Sequence, residues 1–104
     1  MAYATTNPYT AETLKTFPNA TDAEVAQALE QGDTAFRAWK ERSVADRVKV
    51  LQKAADLLRA KAHEYARLLT LEMGKLIGEA EAEVELSAGI FEYYVENAEK
   101  LLAP

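Results

Sequence analysis

Leu71-Glu72-Met73-Gly74-Lys75 is a short break with a long helical pattern on each side of it. Upstream, apolar residues fall at Val44, Val48, Leu51, Ala55, Leu58, Ala62, Tyr65 and Leu69, alternately four and three apart. That alternation keeps a single helix face apolar, and such a face must be buried. Downstream, Ile77, Ala80, Val84, Ala88, Phe91, Val95, Ala98 and Leu102 make a second stripe at helical spacing. Gly74 therefore reads as the point where one helix stops and the next begins, because glycine accepts the left-handed conformation that closes a helix.

Beyond the break, Glu79, Glu81, Glu83 and Glu85 put four carboxylates at alternate positions. On a helix they fall into two like-charged pairs four residues apart, each costing a few tenths of a kcal/mol. The positive end of the helix dipole offsets part of that cost, and ion pairs to basic residues elsewhere are expected to offset more. A metal or paired-carboxylate acid/base site is the sharper alternative, but no second carboxylate-rich segment accompanies it. Ala82, Leu86, Ile90 and Tyr93 form another apolar strip beside the main stripe, so this helix is expected to be in contact on two sides.

Before the break, Ser43 is a candidate N-cap with Asp46 three residues on. The opposite face of the following helix, including Asp46, Arg47, Lys49, Lys53, Arg59 and Glu64, carries mixed charge and reads as solvated. Its seam is rich in alanine and lacks regular flanking charges, which favours a globular bundle over a coiled coil. Earlier still, Thr21-Asp22-Ala23-Glu24 fits a capping box that starts a helix. Val25, Leu29, Gly32, Phe36 and Trp39 share one face of that helix. Gly32 there costs about 1 kcal/mol relative to alanine and is expected to admit a close-packed neighbour, while Phe36 and Trp39 read as core. Tyr3 to Thr6 and Thr13 to Phe17 are short extended pieces flanking an Asn7-Pro8 turn starter, a hairpin that needs another surface to lie on. The expected fold is mainly α: a hairpin within 1–20, a helix over 21–41, one helix or a broken pair over 43–73, and a long helix over 75–102.

A chain of 104 residues has room for one domain and buries only about 60–70% of its unfolded surface. Twelve basic and seventeen acidic side chains give a net charge of −5, which argues against nucleic acid and anionic lipid as partners. With no apolar run of roughly eighteen residues and no basic, apolar leader, the chain reads as cytoplasmic, with no membrane partner. It holds no cysteine, hence no thiolate nucleophile or thiolate metal site. His63 is the sole histidine; zinc and di-iron sites need more ligands than it supplies. Ser43 and Ser87 are the remaining nucleophile candidates, neither in a nucleophile-elbow context. No glycine pattern is equipped to cradle a phosphate.

From Thr6-Asn7-Pro8 through the capping box, Phe36-Arg37-Ala38-Trp39, Ala45-Asp46-Arg47, Leu57-Leu58, Leu71-Glu72-Met73-Gly74-Lys75 and Phe91-Glu92-Tyr93-Tyr94, the chain resembles the N-terminal part of the aldehyde dehydrogenase superfamily. It is most similar to the branch that contains succinate-semialdehyde dehydrogenases. The resemblance implies the N-terminal part of an NAD(P)-binding domain without its parallel sheet. It implies a parent enzyme in which a cysteine thiolate attacks the aldehyde, hydride passes to NAD or NADP, and a glutamate activates water to hydrolyse the thioester. None of those groups is expected within these residues, so the chain alone is expected to be an inactive fragment that binds no cofactor.

Two further implications concern sites. In some members of the family, a residue at the position of Glu72 and the backbone near Thr5 and Thr6 help to form a structural cation site. The helix after Gly74 borders the substrate entrance, which would place Ala82 and Leu86 on the tunnel wall; interdomain packing is the alternative use for that strip. A standalone self-association or protein-interaction module is the rival reading of the whole chain. Either way, the exposed apolar stripes imply a partner: the remainder of the enzyme, or a second copy in a homo-oligomer.

Overall fold

The computed structural model describes residues 3–104, so residues 1 and 2 of the hairpin segment lie outside the described residues. Two strands, β1 (Tyr3–Thr6) and β2 (Thr13–Phe17), precede four helices, α1 (Asp22–Lys40), α2 (Val44–Ala60), α3 (Ala62–Met73) and α4 (Ile77–Leu101). The strands pair antiparallel with Tyr3 opposite Phe17 and Thr5 opposite Lys15, and the register slips between Thr5 and Thr6. Asn7 organises the turn: its side-chain oxygen accepts from the Tyr9 N–H at 2.9 Å, and its carbonyl accepts from the Ala11 N–H at 2.8 Å. Ala11 closes the turn at φ 60°, a left-handed conformation uncommon for a residue with a side chain. β1 lies against α3, which supplies the surface that a hairpin needs.

The Thr21 box forms in full. The Thr21 hydroxyl accepts from the Glu24 N–H at 3.2 Å, and Glu24 Oε2 accepts from the Thr21 N–H at 2.7 Å. That backbone bond, followed by the Thr21 hydroxyl, holds the Glu24 carboxyl below the usual carboxylate range. Beyond its cap, however, α1 rests on little. None of its residues is buried, and the extended packing among the helices involves α2, α3 and α4 only. Two expectations are corrected here. A Cβ on Gly32 would meet nothing within 4 Å, so no neighbour packs against it. Phe36 is 59% exposed rather than core, and Trp39 is half-buried with the Arg42 guanidinium 5.4 Å from its ring. The apolar stripe of α1 is real, but the described residues offer no element that covers it.

The core is a seam of small residues. Ala66, Ala80 and Val84 are buried, with Leu58, Ala62, Tyr65 and Leu69 packed around them, and Ala55 and Ala88 are buried along the same line. Small side chains at the contact let helix axes approach closely, so α2 and α3 both lie along α4. The apolar stripe from Val44 to Leu69 therefore belongs to two helices, not to one continuous face. The break is Lys61, at φ −116° and ψ 23°. Its N–H still donates to the Leu57 carbonyl and its carbonyl still accepts from the Tyr65 N–H, both at 3.1 Å. This is a bend with no intervening loop. In the downstream stripe, the buried residues Ala80, Val84 and Ala88 lie in the first half of α4; Phe91, Val95 and Ala98 are half-buried, and Ile77 and Leu102, at the two ends, are exposed.

Gly74 ends α3 at φ 72°, in the left-handed conformation, with its N–H donating to the Thr70 carbonyl at 3.0 Å. A Cβ there would stand 3.1 Å from Pro8 Cγ, so the hairpin turn also crowds the site. Gly74→Ala is therefore expected to lower stability by about 1–2 kcal/mol from backbone strain. Urea denaturation checks this, and an unchanged midpoint would mean that the cap does not set the turn into α4.

Candidate functional site

The alternate glutamates of α4 are the densest constellation of titratable groups in the chain. Three of the four meet a basic residue from another part of the structure, as the ion-pair reading expects. Arg59, on α2, reaches across to α4 and is held by two carboxylates seven residues apart. Its Nη2 lies 2.8 Å from Glu85 Oε1 and 2.9 Å from Glu92 Oε2, and its Nε lies 3.0 Å from Glu85 Oε1. Its Nη1 also bonds Glu92. Hydrogen bonds from the guanidinium, more than charge alone, hold the Glu92 carboxyl below the usual range, and the same bonds, Glu92 first, raise Arg59 further above its own. His63 Nδ1 stands 3.0 Å from Glu81 Oε1 on an exposed edge, and Lys75 pairs with Glu83. The row of carboxylates thus ties α2, α3 and the α3–α4 turn to α4.

Arg59 was placed by its sequence position on the solvated face of α2. The signal that would have singled it out is the seven-residue interval between Glu85 and Glu92, two helical turns that leave both carboxylates on one side of α4.

The hydroxyls and carboxylates capable of chemistry are otherwise occupied. Ser43 accepts from the Asp46 N–H at 3.1 Å as the cap of α2. The Ser87 hydroxyl donates to the Glu83 carbonyl one turn back at 2.9 Å. Asp46 is held below the usual carboxylate range by hydrogen bonds, from Lys49 first and then at Ser43. Among the described residues no three His, Cys, Asp or Glu side chains cluster so as to hold a metal ion.

Glu72 is exposed near the end of α3 and shares a shallow hollow with Glu83, Ser87, Tyr65 and Leu69. Thr5 is half-buried and Thr6 exposed on β1, the strand that lies against α3. Ala82 and Leu86 are both exposed on α4, Leu86 by 64%, and the strip they begin continues uncovered through Ile90 and Tyr93. The main stripe of α4 is thus covered by α2 and α3, while the second strip is open.

A dinucleotide does not fit what is present. Cβ atoms on Gly32, Gly78 and Gly89 would meet nothing within 4 Å, and Gly74 is a helix cap facing Pro8. No glycine-lined backbone cradle exists among the described residues. Among the described residues no helix is long and apolar enough to cross a membrane.

Comparison with known proteins gives this scaffold a context. The sequence matches the Aldehyde dehydrogenase family over residues 1–103. It is 46% identical over 102 residues to the succinate-semialdehyde dehydrogenase (NADP(+)) of Deinococcus radiodurans, covering 98% of this chain and 21% of that protein. It is 47% identical over 103 residues to succinate-semialdehyde dehydrogenase (NADP(+)) 1 of Mycobacterium tuberculosis, covering 99% and 22%. Among solved structures, succinic semialdehyde dehydrogenase from Streptococcus pyogenes, in complex with NADP+ as the cofactor, superposes with a TM-score of 0.91 at 39% identity, covering 97% of this chain and 22% of that one. Gox0499, solved in work on its cofactor and substrate selection, superposes at 0.96 with 34% identity, covering 100% and 23%. The chain spans about a fifth of the length of these relatives. Since likeness in sequence and in backbone runs through the hairpin and all four helices, this chain belongs to the aldehyde dehydrogenase family and corresponds to the N-terminal part of its fold.

Proposed function

We propose that these residues are the leading segment of an NADP-dependent succinate-semialdehyde dehydrogenase, and that within it they serve as scaffold. The observation that carries this is the alignment of nearly the whole chain, at 46–47% identity, with enzymes of that name. The reaction converts an aldehyde and water into a carboxylic acid while hydride passes to NADP+. The present residues supply neither a cysteine nor a cradle for the cofactor. What they contribute is placement: the Arg59 clamp and the alanine seam fix α4, and α4 presents its open strip on the side away from that seam.

Two assays test the two halves of this reading. Purified 1–104, given succinate semialdehyde and NADP+, is expected to form no NADPH; turnover above a buffer control would sink the scaffold role. The polypeptide as its native gene makes it is expected to oxidise succinate semialdehyde with NADP+. Faster turnover of an unrelated aldehyde by that product would remove the substrate assignment and leave the scaffold role standing.

A further inference from the structure

We draw no further inference here: the strongest candidate, the pair of uncovered apolar faces formed by the stripe of α1 and the second strip of α4, carries nothing, because the chain spans about a fifth of the length of its relatives and nothing in the structure shows what covers these faces.

Discussion

Ala80→Leu is expected to lower the stability of the three-helix unit by about 1–3 kcal/mol, the usual cost of forcing extra methylenes into a packed core. Ala80 is fully buried, as are Ala66, Ala55 and Ala88. Ala80 belongs to the cluster in which Ala66 and Val84 are its buried neighbours. No compensating space exists there, because small side chains are what let the helices meet. The loss matters more than its size suggests. At about 0.05–0.15 kcal/mol per residue, a unit running from Val44 to Leu101 has only some 3–9 kcal/mol in total, so one leucine removes a large share of it. A urea titration followed by helix content gives the difference directly. Leu86→Ala, on the open strip of the same helix, is the contrast. If the two variants lost equal stability, the seam would not be where the helices make their contact.

The second large effect comes from the clamp. Arg59→Gln removes the cation that α4 grips and leaves Glu85 and Glu92 facing each other across two turns, so α2 loses its ionic tie to α4. The difference from wild type depends on pH in a definite sense. Arg59 holds the Glu92 carboxyl below its ordinary value of 4.5, so in the folded state Glu92 keeps its charge to lower pH than in the unfolded chain. The stabilisation is therefore fully present above pH 4.5 and is lost as pH falls through the depressed folded value. Arg59 remains charged throughout. Wild type is expected to exceed Arg59→Gln in stability at neutral pH, and the gap is expected to narrow as pH falls below 4.5. A gap that stayed constant or widened on acidification would show that the clamp does not act through the ionised carboxylate. High salt is expected to narrow it too, since the pair is only half-buried and salt screens charges that solvent reaches.

Much of this architecture was legible from residue pattern. Thr21 with Glu24, Ser43, and Gly74 each mark a helix end by a local hydrogen-bonding or backbone requirement that the residue itself satisfies, and each stands where its chemistry demands. The two hairpin strands follow from threonine and aromatic content beside Asn7-Pro8. The bend at Lys61 was not legible for an equally local reason. No glycine or proline interrupts the run, and the step from Leu58 to Ala62 preserves the four-and-three spacing, so the apolar pattern is the same for one helix or for two. Ala11 at φ 60° is a similar case, since an alanine gives no hint of a left-handed turn. Phe36, Trp39 and Gly32 mislead in another way. Their spacing reports correctly that one face of α1 is apolar, but periodicity says that a face is to be covered and is silent on what covers it. The contacts of Glu81, Glu83 and Glu85 with basic residues are expected as a class, while their partners depend on how the helices fold back. Arg59 becomes recognisable only once α2 and α4 lie side by side.

The contiguity of the buried seam bears on the order of events during synthesis. Every residue of it lies between Val44 and Leu101, on three helices consecutive in the chain. Polypeptides emerge from the ribosome at about 5–20 residues per second, so this stretch takes roughly 3–12 s to make. Assemblies dominated by local helical contacts fold in microseconds to milliseconds. The three helices therefore close on one another almost as soon as α4 is clear of the exit tunnel, with no need to wait for sequence translated later. α1, although made before these three helices, gains nothing from that closure. It leaves the ribosome as a capped helix held mainly by its own hydrogen bonds, available for the first matching apolar surface it encounters.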